Sequence, residues 1–188
     1  MSLRLARVIR PSESGWVSDM ALSFLTSSEA TVEVVVTCDP EVTCTIEERS
    51  AYLESGNRED LGTVGSATNF VLKALSPAER EEAEMRAGAL IRSELGRLLW
   101  SEAPDDERER AVWHHALNDH ERRAMSDYQN YLNRVYVEMI RSSLLTIDDE
   151  EASVEQIQLI RPEAHRIQTI SELIIHIQRI SLLGAEGK

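Results

Sequence analysis

The histidines between residues 113 and 120 form the most chemically suggestive cluster in this 188-residue chain. His115 and Asp119 are four positions apart, so on one continuous helix they would share a face and offer an imidazole nitrogen and a carboxylate oxygen to a transition-metal ion. Two ligands do not complete a site, no third ligand follows at a familiar spacing, and the HExxH motif is absent. His114 and His120 point elsewhere on such a helix. We therefore interpret the cluster as a surface or interface feature, and a small metal-dependent enzyme using His115 and Asp119 is kept as the alternative.

The two cysteines, Cys38 and Cys44, are too far apart for a CxxC metal or redox motif, and there is no second pair. A cysteine nucleophile needs a base, and nothing in the sequence ties His165 or His176 to either thiol. The glycines form neither GxGxxG nor GxxxxGK[ST], so no phosphate cradle is predicted. We expect buried or inactive thiols, a reduced cytosolic setting, and a protein that is not an enzyme and has no metal, catalytic residue or cofactor.

The net charge of the chain limits the classes of partner that it can bind. The chain has 20 Lys+Arg and 33 Asp+Glu residues, for a net charge of −13, which argues against direct binding to nucleic acid or to an anionic membrane. The apolar run at 167–183 is interrupted by charged side chains, so we do not expect it to cross a bilayer. A third hypothesis is that the protein is an acidic mimic of nucleic acid. We rank it below the other two, because arginines interrupt the acidic stretches.

The elements that must position these residues fall into two parts. Residues 1–75 are predicted to form an amino-terminal arm and a small α+β element, with strands over 31–37 and 68–75, in which Phe70, Leu72 and Ala74 share a face. A capping box at Thr45 predicts a helix over 45–53, and the two strands suggest a two-stranded sheet. The course of residues 1–26 is not predicted.

Residues 76–188 are predicted to be a helical domain. Ser76-Pro77-Ala78-Glu79 is a strong helix start, so we expect a first helix over 77–100. Residues 106–145 form one long amphipathic helix or two helices broken at Asn118-Asp119, and the acidic residues 148–151 form a solvated connector. The fold class is therefore mainly α with a small N-terminal β element (α+β), and the C-terminal two thirds is bundle-like.

Aromatic and aliphatic side chains at helical spacing are the candidate partner-binding residues. Such stripes serve either packing between helices or contact with another protein, and both interpretations stay open here. The partner-binding prediction comprises Trp113, Tyr128, Ile167, Ile170, Leu173, Ile174, Ile177 and Ile180.

Several short segments resemble small proteins encoded among the tail and virion assembly genes of tailed bacteriophages. They are Asp39-Pro40, Glu47-Glu48, Tyr52-Leu53, Asn57 to Leu61, Ser171 to Ile174 and Ile180 to Leu183. The stretch from Phe70 to Arg80 is similar to the phrase F-x-L-x-x-L-(S/T)-x-x-E of those proteins. These phrases cover about half of the chain discontinuously, and residues 113–120 do not fit the family pattern.

The resemblance implies a non-enzymatic morphogenesis protein, of the tail assembly chaperone kind, that binds other tail or virion proteins through amphipathic helices. A minor structural component of the virion is the alternative. Its setting would be the host cytoplasm during assembly, or the virion, and a homo-oligomer is a further option. The resemblance carries over no catalytic residues.

Overall fold

A computed structural model of the chain describes residues 30–88 and 94–183. Within these ranges the strands are β1 (Thr31–Val34), β2 (Val42–Thr43), β3 (Thr63–Val64), β4 (Phe70–Lys73), β5 (Leu144–Ile147) and β6 (Glu150–Glu151). The helices are α1 (Ile46–Ser55), α2 (Pro77–Arg86), α3 (Glu94–Glu102), α4 (Glu107–Ala116), α5 (Asp119–Ser143), α6 (Val154–Gln158) and α7 (Glu163–Leu183). This mainly helical α+β fold confirms the predicted class. The predicted arm, residues 1–26, lies outside the described residues.

The main sheet is antiparallel and has the strand order β1-β4-β5-β6. Val34 lies opposite Phe70 on the neighbouring strand, and β5 pairs with the other edge of β4. Phe70, Leu72 and Ala74 are buried, as the alternation predicts. A separate two-stranded sheet joins β2 to β3. The predicted two-stranded sheet is therefore too small, since β5 and β6 come from the part of the chain expected to be helical.

The acidic residues 148–151 do more than connect two helices. They are exposed, as predicted, but Glu150–Glu151 is a strand that folds back on β5 through a tight turn. Asp148 and Asp149 have positive φ values of 50° and 66°, the conformation that a two-residue hairpin requires. The Asp148 carboxylate accepts a hydrogen bond from Asn69 N at 2.8 Å, which fixes the turn beside β4. The simple-connector interpretation is wrong because Leu144 and Ile147 draw this segment onto the sheet.

Two helix predictions have different outcomes. The Ser76 start is confirmed, because the Ser76 hydroxyl accepts from Glu79 N and the Glu79 carboxylate accepts from Ser76 N. The single helix over 77–100 is wrong, because α2 ends at Arg86 and Gly88 has a φ of +89° that does not continue a helix. Residues 89–93 lie outside the described residues.

The long stretch at 106–145 follows the two-helix alternative. Leu117 is extended, with ψ at 141°, and ends α4. The Asn118 side chain then accepts from the backbone N–H groups of His120 and Glu121, which starts α5.

One core joins the sheet to the long helices. It combines Val34, Phe70 and Leu72 from the strands with Ile140 from α5 and Leu173 from α7. This core spans the boundary predicted at residues 75 and 76, so the two segments fold against each other. A smaller cluster around Val35, Tyr52 and Leu61 lies beneath α1.

Candidate functional site

Most of the predicted carboxyl-terminal stripe faces the chain's own core. Leu173, Ile174 and Ile177 are buried there, and Ile170 and Ile180 are partly buried against it. Ile167 alone among the six aliphatic residues of the stripe is largely exposed, at 57%. The apolar pattern of α7 is therefore satisfied by the sheet and α5, and little of it is free to bind a partner.

The two aromatic residues of the prediction lie elsewhere. Tyr128 is half-buried on α5, with its ring centroid 6.3 Å from that of Trp100 and 6.1 Å from that of Tyr131. Trp113 is half-buried on α4. Tyr131 belongs to the core, so the three rings, each tilted against the next, run from the exposed Trp100 into the interior.

A helical segment comprising α3 and α4, residues 94–116, exposes several large apolar side chains. It holds three of the nine large apolar side chains exposed in the described ranges, namely Leu98 at 52%, Trp100 at 43% and Val112 at 72%. We call this region the α3–α4 segment. α3 packs closely on α5, because Gly96 lets the two backbones approach: a β-carbon built there would come within 2.1 Å of the Ala124 carbonyl oxygen.

α4 is held mainly by local interactions. It has no extensive packing against another element of the described chain, and Leu117, just beyond its end, is the first buried residue. At its start, one Asp106 carboxylate oxygen accepts from Arg108 N and Glu109 N. The Arg110 guanidinium donates to the backbone oxygens of Pro104 and Asp105, both at 2.8 Å. A ten-residue helix of this kind is marginal without a packing partner.

The histidine cluster does not assemble a metal site. His115 lies in the last turn of α4 and Asp119 begins α5, so the shared helix face that the metal hypothesis requires is broken at Leu117. The Asp119 carboxylate instead pairs with Arg122 at 2.6 Å. His114, His115 and His120 are exposed. Across residues 30–88 and 94–183, no three His, Cys, Asp or Glu side chains are grouped closely enough to hold a metal ion.

A buried carboxylate links α7 to the end of β1. Glu172 is fully buried, and its oxygens accept hydrogen bonds from Thr37 N and Thr37 Oγ1, each at 2.6 Å, and from Gln168 Nε2 at 2.9 Å. Arg49 of α1 completes the arrangement, with Nη2 2.9 Å from Glu172 Oε1. Because every partner donates to the carboxylate, this cluster fixes three elements and leaves Glu172 no open coordination side for chemistry.

His176 lies one turn further along α7 and is also fully buried. Neither ring nitrogen has a hydrogen-bond partner within residues 30–88 and 94–183, and the ring lies against Tyr52 with the centroids 4.9 Å apart. Burial, together with the nearby positive charge of Arg179, lowers the pKa of His176 to about 4. The imidazole is therefore neutral at physiological pH.

An open cavity of about 320 Å³ lies where the segment after β1 meets β4, β5, α6 and the start of α7. The cavity brings Cys38 and His165 together, which the sequence did not reveal. Cys38 Sγ lies 3.4 Å from Thr169 Oγ1 and 3.6 Å from the His165 backbone oxygen. Burial raises the pKa of the Cys38 thiol, so it stays protonated and is a poor nucleophile. The other cysteine, Cys44, is free and half-buried.

Sequence reasoning did not identify Glu172, His176 or the cavity as features of interest. A signal existed for the first two: they are polar residues, four positions apart, inside the apolar stripe of α7. The cavity has no such signal in the sequence, since its walls come from segments more than a hundred residues apart.

Comparisons with known proteins add no functional assignment. No protein-family model matches the chain, and no match is found among curated proteins or solved structures. Within the described ranges, no helix combines the length and the apolarity needed to cross a membrane.

Proposed function

We propose that the protein acts by binding other proteins, with the α3–α4 segment as its main contact surface. The observation that carries this proposal is that α4 has no extensive packing against the other described elements while it exposes Val112 at 72%. Leu98 and Trp100 of α3 are also exposed, at 52% and 43%. Exposed aromatic and aliphatic side chains on a helix are the usual anchors of a helix-mediated interface.

The setting we propose is the assembly of a phage tail, as the resemblance to tailed-phage morphogenesis proteins implies. The partner would then be a tail protein such as the tape-measure protein, which tail assembly chaperones coat. The net charge of −13 would keep such a protein dispersed before assembly. In that role the protein would act in the host cytoplasm and be absent from the finished particle.

Coexpression with the tape-measure protein encoded in the same genome tests the proposal. We expect the two proteins to copurify, and Val112→Glu to reduce recovery of the complex at least tenfold, because a carboxylate would be buried at the contact. Ile46→Glu is the matched control, since Ile46 is also an exposed aliphatic residue, at 84%, but lies on α1. Its complex should be recovered at the level of the unmodified chain.

Two results would contradict this function. A source genome without tail genes would remove the phage setting, and equal loss of binding in both variants would remove the α3–α4 segment as the contact. Recovery of the protein from purified particles would favour the virion component over the assembly chaperone.

A further inference from the structure

The open cavity beside the end of β1 has the size and walls of a small-molecule site. Its volume of about 320 Å³ is at the lower end of the range of such pockets. Its apolar wall is formed by Val36, Pro40, Phe70, Ile147, Ile157 and Ile160. Val36, Phe70 and Ile157 are themselves buried in the core, so this wall is a fixed part of the fold.

The polar groups of the cavity are of two kinds. Thr169, which is fully buried, and the protonated thiol of Cys38 are neutral and contact each other. Asp39 is charged but already engaged: Oδ1 accepts from Glu41 N at 2.9 Å and Oδ2 from Thr68 N at 3.0 Å. Burial works to raise the pKa of Asp39, and these hydrogen bonds outweigh it and hold the pKa below its usual value. Both carboxylate oxygens of Asp39 are therefore used to hold the local backbone.

Arg161 is a charged lining residue that has no ion-pair partner among the described residues. Its Nη1 makes only long contacts, 3.3 and 3.5 Å, to the backbone oxygens of Ile160 and Gln158, and no described carboxylate pairs with it. His165, another lining residue, can donate a further hydrogen bond through its ring. Guanidinium groups bind carboxylates through paired N–H donors. A cavity with an apolar wall and an unpaired arginine selects a ligand that is apolar at one end and anionic at the other.

We infer that this cavity binds a small carboxylate with an apolar tail. The tail lies against Phe70, Ile157 and Ile160, and the carboxylate binds Arg161. Binding is non-covalent, because a free carboxylate has no leaving group for the Cys38 thiol to displace. The inference is independent of the proposed protein-binding function, since the α3–α4 segment contributes no residue to the cavity.

Titration of the full chain with octanoate, followed by two-dimensional ¹⁵N NMR, tests the inference. We expect saturable binding with a dissociation constant below about 1 mM. The largest shifts should fall on the amides of Cys38, Thr68, Ile160, His165 and Thr169, which line the cavity. Absence of saturable binding up to 10 mM, or shifts confined to the α3–α4 segment, would overturn it.

Paired variants test the role of the charge. Arg161→Gln should weaken octanoate binding about tenfold, because it removes the charged donor and keeps the side chain polar. Arg166→Gln is the matched control: Arg166 pairs with Glu163 at 2.6 Å and does not line the cavity, so its affinity should be unchanged. Equal affinity of Arg161→Gln and the unmodified chain would overturn the assignment of Arg161.

Two ligand analogues distinguish the contribution of the ligand's apolar tail from that of its carboxylate. Octanol should bind about tenfold more weakly than octanoate, and octylamine more weakly still, because Arg161 repels the ammonium group. Equal binding of octanol and octanoate, or tighter binding of octylamine, would contradict the inference that the cavity selects a carboxylate.

Discussion

Glu172 and His176 lie one turn apart on α7, both fully buried, yet they differ in how their polar atoms are satisfied. Among the described residues, Glu172 has four hydrogen-bonding or ionic contacts, whereas both ring nitrogens of His176 have none. A satisfied buried carboxylate holds its partners in place, and an unsatisfied imidazole lowers stability. The two residues should therefore respond in opposite ways to removal of their polar groups.

His176 should make stability depend on pH between 5 and 7. Its pKa is about 4 in the folded chain and 6.5 when unperturbed, so below pH 6.5 the unfolded state takes up a proton that the folded state excludes. The free energy of unfolding therefore falls as the pH falls, by about 2 kcal/mol between pH 7 and pH 5 from this group. Urea unfolding at both values measures the loss.

His176→Phe isolates that contribution. The variant keeps a ring of similar size and has no group to protonate, so its loss between pH 7 and pH 5 should be about 2 kcal/mol smaller than that of the unmodified chain. At pH 7 we expect it to be no less stable, because it removes two unsatisfied polar atoms. Parallel pH profiles for the two proteins would show that His176 is not the group responsible.

Glu172→Ala should destabilise the fold by about 2–4 kcal/mol, because it leaves the Thr37 N–H and the Arg49 guanidinium without their acceptor. Thermal and urea unfolding at pH 7 measure this change. Glu163→Ala is the control on the same helix, since Glu163 is exposed and forms a surface pair with Arg166 that contributes at most about 1 kcal/mol. Similar losses for both variants would contradict a structural role for the Glu172 cluster.

At the scale of elements, α3 depends on the absence of a side chain at Gly96. Gly96→Ala would place a methyl group 2.1 Å from the Ala124 carbonyl oxygen, which is backbone and cannot move aside. We expect a loss of about 1–3 kcal/mol, despite the roughly 1 kcal/mol that alanine gains in helix propensity. Trp100 fluorescence should also change, because displacement of α3 separates that ring from Tyr128.

The neighbouring change Leu98→Ala provides the comparison for Gly96→Ala. Leu98 is exposed on the same helix, so its truncation should alter stability by no more than about 0.5 kcal/mol. A Gly96→Ala protein that is more stable than the unmodified chain, with unchanged fluorescence, would mean that α3 does not pack on α5 through this glycine.

Helix starts were predictable because their signals are local. Thr45, Ser76 and Asn118 each accept a hydrogen bond from an amide within three residues, so the sequence alone contains both partners. The third strand of the main sheet was not predictable in this way. β5 pairs with β4, which lies about seventy residues earlier, and Leu144 and Leu145 also fit the helical pattern that precedes them.

The candidate surface was predictable only in part for a related reason. An apolar stripe indicates that something covers it, but the pattern does not distinguish the chain's own sheet from another protein. Most of the stripe of α7 proved to be core, whereas Trp113 lies on α4, and no local signal reveals that α4 packs little against the other described elements. Which stripe stays uncovered is decided by the tertiary fold.

At the scale of the whole molecule, the described residues form a packed core against which α4 makes few contacts. The sheet, α5 and α7 share a single core, while α4 is fixed by the Asp106 cap and the contacts of Arg110. Such a helix should open far more often than the core elements in the free protein. A binding partner that covers Val112 would supply packing that the other described elements do not supply.

Amide hydrogen exchange of residues 107–116, measured in the free chain and in its complex with the tape-measure protein, tests that claim most directly. We predict that the amides of residues 107–116 exchange rapidly in the free chain and at least tenfold more slowly in the complex. Residues 170–177 of α7 should be equally protected in both states. A stable complex in which residues 107–116 exchange as fast as in the free chain would contradict it.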